Sequence, residues 1–405
     1  MDILFAVYDS KTFGLLGCGI RNVPACRLRQ LHWAKILKNS CGQNTVATGW
    51  LSLDPDCYVQ KLHYTVVMSE IPSPPPAQSQ FITAANSHVH ETKALFESAV
   101  AEIGKVFVGQ DELVTTSLVA LFSGGHVLIE GVPGLGKTLF VRTLGQVLGC
   151  HFGRIQFTAG LMPSDITGAP ILDLKTQDFR FRPGPVFTQF LLADEINRSP
   201  AKTHAALLEI MQEFRVTIDG VSHPVPRPFL VMATQNPIES EGTYSLPEAQ
   251  LDRFMFKAMV SYPSEQEESR ILEMHSKQID LSAVLKEQVA QLTNAEQISN
   301  IIKMNGQVRI EPKLLAYINK IVRLTRSWPT FHMGASPRAG LALVQGARTI
   351  AAFRGRDFAV PDDVVEIALP ALRHRVIMSA EAEVEGMKVD QELTSLLRSI
   401  EVPRI

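Results

Sequence analysis

Short apolar runs punctuate the middle of the chain, each ending in a Gly, acidic or polar stop. Val127–Glu130, Ile155–Phe157, Phe190–Ala193, Phe229–Ala233 and Phe254–Val260 read as five strands. Between them lie stretches with apolar residues at helical spacing, of which Thr138–Leu148 is the clearest, and Leu95–Val106 reads as a helix ahead of them. Apolar strands alternating with helices predict an α/β fold, a parallel sheet covered on both faces. Two hairpins interrupt the alternation. One lies around Ile171–Arg182, and the other is Arg215–Val221, where Asp219-Gly220 is a tight-turn signal. After Pro263 the strand pattern stops and four or so helical stretches follow, which predicts a separate helical domain.

Before residue 68 the pattern is different. Residues 1–67 hold no Glu, four of the five Cys and two of the three Trp, without sustained periodicity of either kind. Pro72-Ser73-Pro74-Pro75-Pro76 then reads as a stiff linker. The expected division is 1–83 as an unassigned extension and linker, with disorder as one reading; 84–262 as an α/β core; and 263–405 as a helical domain. Met68 is a candidate start of the functional fold, and a small client-binding domain is the rival reading of the extension.

Composition narrows the classes. At 405 residues the chain exceeds one ordinary core. A net charge of −2 gives no global basic field for nucleic acid, and no apolar run is long enough to span a membrane. The N-terminus lacks a signal-peptide pattern, so a cytoplasmic location is the default expectation. Cys18, Cys26, Cys41, Cys57 and Cys150 match no metal spacing and read as free thiols. His88 and His90 lack partners at ligand spacing and read as part of a solvated stretch, and His374 reads as surface.

Gly131-Val132-Pro133-Gly134-Leu135-Gly136-Lys137-Thr138 matches G-x-x-x-x-G-K-[ST] between a strand and a helix. Backbone N–H groups in such a loop wrap phosphates, Lys137 reaches the β/γ-phosphates, and Thr138 can ligate Mg²⁺. Leu139 follows directly and belongs with the nucleotide-binding set. ATP and Mg²⁺ are the implied cofactors. Leu191–Glu195 is an apolar strand ending in two carboxylates, with Asp194 suited to the metal and Glu195 to the attacking water. Asn236, at the end of the fourth strand, could hold that water with Glu195; an Asn-Pro turn is the alternative. Arg253 and Arg338 could stabilise transition-state charge or form surface salt bridges. Arg180 and Arg182 read as a solvated hairpin face.

Together these segments resemble the MoxR family of AAA+ ATPases over about residues 84–390. Gly131–Thr138 is similar to its Walker A, Leu191–Glu195 to its Walker B, Thr234–Gly242 to its sensor 1 segment, Thr243–Arg253 to its arginine-finger segment, and Gly334–Ala339 to its sensor 2. Arg354–Asp357, Pro361–Val364 and Leu372–Arg375 resemble its C-terminal lid. The resemblance implies a five-stranded sheet of order 5-1-4-3-2 and a helical lid domain, with the hairpins as the helix-2 insert and pre-sensor 1 hairpin. It implies Val108 and Gly109 near adenine, Asn236 as sensor 1, Arg338 as sensor 2, and Arg253 as a finger reaching a neighbour's ATP. It further implies a homo-oligomeric ring, a hexamer by expectation, which remodels or activates client proteins, often with von Willebrand A-domain partners. A nucleotide-dependent scaffold with little turnover and a DNA-associated motor are the competing functions. Glu195 argues against the first, and the lack of a basic stripe argues against the second.

Overall fold

The computed structural model describes the backbone from Ala77 to Arg404 and side chains from His88 onward, except at residues 133, 176, 237–243, 277–284 and 286 and the side chain of 275. It also describes the backbone of five strands in the first 68 residues. The chain divides into two compact units, 1–78 and 79–405.

In the first unit Phe5–Asp9 pairs antiparallel with Thr12–Leu16, and Gln30–Lys38, Thr45–Ser52 and Tyr64–Met68 form a three-stranded antiparallel sheet. The sequence pattern gives no sustained periodicity here. The strands nevertheless carry β-branched and aromatic residues such as Thr45, Val46, Trp50, Tyr64, Val66 and Val67, which suit a pleated ladder without strict alternation. The Pro-rich segment at 72–76 lies outside the described residues.

In the second unit five core strands, β1 (Val127–Gly131), β2 (Phe152–Gln156), β3 (Phe190–Asp194), β4 (Leu230–Gln235) and β5 (Phe256–Val260), form one parallel sheet. Its order is β5-β1-β4-β3-β2, as the resemblance implied. Strand β4 is inserted between β1 and β3, so the ends of β1, β3 and β4 converge. The alternation of the strands divides two apolar cores. Val127, Ile129, Phe190, Leu192, Leu230 and Met232 face one, whereas Leu128, Leu191, Ala193, Val231 and Ala233 face the other.

Helix α1 (Ala77–Ile103) begins well before the predicted Leu95; its first turns mix Gln, Ser, Asn and His with Phe81, Ile82, Ala85 and Val89, a stripe too diluted by polar residues to announce the helix. Helices α2 (Asp111–Phe122) and α3 (Lys137–Val147) share the first core, and α4 (Ala201–Glu213) covers the second. Both hairpins form, as Gly168–Asp173 with Asp178–Pro183 and as Arg215–Ile218 with Val221–Pro224. Asp219 (φ 50°) and Gly220 (φ 78°) make the second turn, both left-handed as a type I′ turn requires.

Beyond Pro263 the described elements are helical, including α5 (Ala295–Asn305), α6 (Pro312–Thr325), α7 (Pro337–Phe353), α8 (Pro361–Leu372) and α9 (Val389–Arg398). One small ladder breaks the expectation of strand-free chain: Phe331–Met333 pairs with Ile377–Met378. Runs this short carry no readable period. Two histidine expectations are also corrected. His88 is buried, its Nε2 3.4 Å from Asn305 Oδ1, and His374 is buried with Nε2 3.0 Å from the Phe254 carbonyl. Neither burial follows from local sequence, because both partners are distant along the chain. Cys150 is buried, and burial pushes its thiol up to about 12, which makes it inert.

Candidate active site

The loop between β1 and α3 turns through left-handed backbone at Gly134 (φ 86°) and Gly136 (φ 73°). A Cβ at either would be strained, and Gly136 is the N-cap residue of α3. The loop thereby opens onto the helix N-terminus, where unpaired N–H groups and the helix dipole favour an anion. It borders a cavity of about 320 Å³ lined by Gly131, Gly134, Gly136, Lys137 and Thr138 on one side, and by Arg154, Gln156, Asp194, Glu195, Thr234 and Asn236 on the other. The proposed P-loop, the carboxylate pair and Asn236 thus meet at one site.

Lys137 is half-buried, with Nζ donating to the Gly131 carbonyl at 2.7 Å. Burial lowers its pKa, while Asp194 and Glu195 act in the opposite direction. The lysine is held inside the loop, where phosphate charge would compensate its desolvation.

Asp194 ends β3, and Glu195 follows in left-handed backbone (φ 56°, ψ 49°), leading into a 3₁₀ turn at Ile196–Arg198. That conformation is uncommon for a residue with a Cβ and costs on the order of 1 kcal/mol. Thr234, from the adjacent strand β4, secures it: the Glu195 N–H donates to Thr234 Oγ1 at 2.8 Å, and the same hydroxyl donates to Asp194 Oδ1 at 2.6 Å. One buried hydroxyl therefore positions both carboxylate residues. On the other side, Arg154 Nη2 donates to Asp194 Oδ2 at 2.7 Å, Gln156 Nε2 donates to Glu195 Oε2 at 2.8 Å, and Arg198 Nη1 donates to the same Glu195 oxygen at 3.1 Å.

A second cavity, of about 580 Å³, is lined by Phe107, Val108, Gly109, Asp111, Arg270 and parts of α1 and α2. It holds the two residues expected near a base. Phe107 lies 3.4 Å from where a Gly136 Cβ would stand, at the loop itself. Leu135 and Leu139 do not line the phosphate-sized cavity; they pack against the first apolar core. Pro133 lies outside the described residues, as does the segment 237–243 after Asn236.

The two arginines are elsewhere. Arg253 Nη1 donates to the Leu208 carbonyl at 2.7 Å, and Arg338 Nε is 4.0 Å from Asp252 Oδ2. Neither lines the cavity of its own chain. Arg338 occupies the predicted helix start, with Ser336 as N-cap of α7 accepting from the Arg338 N–H at 3.1 Å. Asp252, next to Arg253, also accepts from Ser336 and from the buried Arg375.

Sequence reasoning missed Arg154, Gln156 and the bridging role of Thr234. The available signal was the period of two: Arg154 and Gln156 alternate with the buried Ile155 on a strand whose neighbour ends at Asp194.

The residues present fit Mg²⁺. Thr138 and Asp194 offer hard oxygen donors across the cavity, and among the described residues no cluster of three or more His, Cys, Asp or Glu forms a dedicated metal cage. A metal held by one carboxylate and a hydroxyl, with phosphates supplying the remainder, is the pattern expected of Mg²⁺. Among the described residues, no helix is long and apolar enough to cross a membrane.

Known proteins resemble this chain over most of its length. Residues 126–256 match the ATPase family associated with various cellular activities (AAA), and residues 323–396 match the AAA lid domain. The chain is 43% identical over 320 residues to Chaperone MoxR1 of Mycobacterium tuberculosis, covering 76% of this chain and 82% of that protein. It is 42% identical over 309 residues to YeaC of Bacillus subtilis, a protein of uncharacterised function, covering 76% of this chain and 95% of the relative. The solved structure of a candidate ATPase from Cytophaga hutchinsonii matches with a TM-score of 0.74 at 39% identity, over 80% of this chain and all of that one.

Proposed function

The chain belongs to the MoxR family of AAA+ ATPases, and from that premise we propose that it hydrolyses ATP in an oligomeric ring to remodel partner proteins. The observation that carries this reading is the single cavity in which Lys137, Thr138, Asp194, Glu195 and Asn236 meet.

In this reading the loop N–H groups and Lys137 bind the phosphates, and Thr138 and Asp194 hold Mg²⁺. The bound metal offsets charge that develops on the transferred phosphoryl group. Glu195 and Asn236 orient the attacking water, and Glu195 accepts its proton. Gln156 and Arg198 both donate to Glu195 Oε2 and so orient the carboxylate, with Oε1 as the oxygen that takes the proton. The second cavity, with Val108 and Gly109, takes the base. Arg338 acts as sensor 2, and Arg253 supplies its guanidinium to a neighbour's nucleotide. Arg253 does not line the cavity of its own chain, which supports an assembly in which it completes a site between subunits. The exposed Leu174 and Phe179 on the first hairpin (84% and 73% accessible) support contact with an apolar stretch of a client.

Glu195→Gln tests the core of the proposal. It should retain ATP while phosphate release falls by at least about 100-fold. Wild-type turnover would mean that another group positions the water.

A further inference from the structure

Both oxygens of Asp194 are occupied by protein donors. Thr234 takes Oδ1, and Arg154 takes Oδ2 at 2.7 Å while also reaching Gln156 Oε1 at 2.6 Å. The first donor is a neutral hydroxyl. The second is a full cation, seated on the carboxylate that must receive Mg²⁺. A guanidinium has no lone pair to share with a metal, and it repels a dication at the same oxygen. The Arg154 side chain is 45% exposed and lies on the edge strand β2, so its tip is free to leave without opening the core.

We propose that Arg154 is a tethered cation that occupies the metal's position on Asp194 while the site is empty, so that a divalent metal enters only together with the nucleotide. The charges around the cavity are consistent with this. Lys137, Arg154 and Arg198 stand against Asp194 and Glu195, three positive charges to two negative ones. A bare dication meets a site already neutralised. A polyphosphate brings several negative charges and gives Arg154 a better partner, because guanidinium–phosphate pairs are strong and planar. Once Arg154 turns to phosphate, Asp194 Oδ2 becomes available. The function is separate from catalysis of the chemical step: it keeps the nucleotide-free protein from charging with metal in the wrong order.

The inference rests on Asp194 being the metal ligand, and its test separates the two ideas. Free Mn²⁺ is titrated into the nucleotide-free full chain and followed by electron paramagnetic resonance. Arg154→Gln should bind Mn²⁺ about tenfold more tightly than wild type, which corresponds to about 1.4 kcal/mol. Arg154→Met is a second charge-free variant with the same expectation, and Arg154→Lys, which keeps the charge, should stay near wild type. Unchanged Mn²⁺ affinity in the charge-free variants, with MgATP binding intact, overturns the role given to Arg154 and leaves Asp194 standing. An equal gain in the Lys variant also overturns it, because charge would then not be the cause. Adding Asp194→Asn to Arg154→Gln should remove the gain. A gain that survives this change places the metal elsewhere and sinks the Asp194 reading instead.

Discussion

Thr234→Val isolates the joint that holds the two carboxylates. Valine keeps the shape of the buried side chain and removes the hydroxyl, which donates to Asp194 Oδ1 at 2.6 Å and accepts from the Glu195 N–H at 2.8 Å. A hydrogen bond to a charged group contributes about 1.5–3 kcal/mol, and an orphaned buried N–H costs about 1–3 kcal/mol. The Asp194 side chain retains 18% exposure, so water recovers part of the first loss. A destabilisation of about 2–4 kcal/mol is the expected net effect. Function should suffer independently of stability. Glu195 sits in left-handed backbone that its neighbours must hold. If about 1.5–3 kcal/mol of positioning is lost in the transition state, kcat falls about 10- to 150-fold. The assay pairs urea unfolding with phosphate release, and includes Thr234→Ser, which restores the hydroxyl and should recover most of the rate. Turnover within twofold of wild type in Thr234→Val, with an unshifted unfolding midpoint, would refute the reasoning.

Lys137→Ala should weaken ATP about 100-fold by calorimetry, since charge-assisted bonds to phosphate are worth about 1.5–3 kcal/mol each and more than one is lost; unchanged affinity would reject the loop assignment. Arg253→Ala should bind ATP normally yet hydrolyse it slowly, and mixing it with Lys137→Ala subunits should recover activity, because a mixed interface pairs an intact loop with an intact finger. No recovery in mixtures shown to co-assemble would count against a finger in trans. His126 gives a pH prediction. Its Nε2 lies 3.1 Å from the Met211 carbonyl and its Nδ1 accepts from the Val231 N–H, and burial lowers its pKa from 6.5 to about 4. As pH falls, the unfolded chain takes the proton first, so stability is full above about pH 6.5 and is lost between there and pH 4. The loss attributable to this group is about 3 kcal/mol. Unfolding free energies of wild type and His126→Gln should therefore converge across that window, and parallel pH curves would exclude the histidine as their source.

The phosphate loop and the acidic strand end were legible because each is a local motif whose meaning depends only on a strand before it and, for the loop, a helix after it. The sheet order came from the family resemblance; nothing in the runs themselves says that β4 lies between β1 and β3. That insertion is why the Thr234 bridge was hidden: it joins residues forty positions apart, and its existence depends on the β3–β4 register that sets Ala193 beside Ala233. Arg154 and Gln156 were hidden for a related reason. A polar residue on an edge strand reads as solvent-facing until the neighbour's carboxylates are located. His374 misled in the opposite sense. Flanked by Arg373 and Arg375 it looks solvated, yet all three are buried beneath the β5 region, Arg375 paired with Asp252 and backbone carbonyls and Arg373 with the more exposed Asp390.

Arg375 makes the last point mechanical. Its buried guanidinium grips the Asp252 carboxylate and the carbonyls of Asp252, Phe254 and Met255 at distances of 2.6–3.3 Å, and it also bonds the Ala371 carbonyl of α8. Stripping one partner from such a charge costs about 3–5 kcal/mol, so the joint does not slip under ordinary thermal load. Arg253 is threaded through the middle of that grip. The backbone that carries Arg253 is thus bolted to the lid of its own chain, and a tilt of that lid would swing the proposed finger with it.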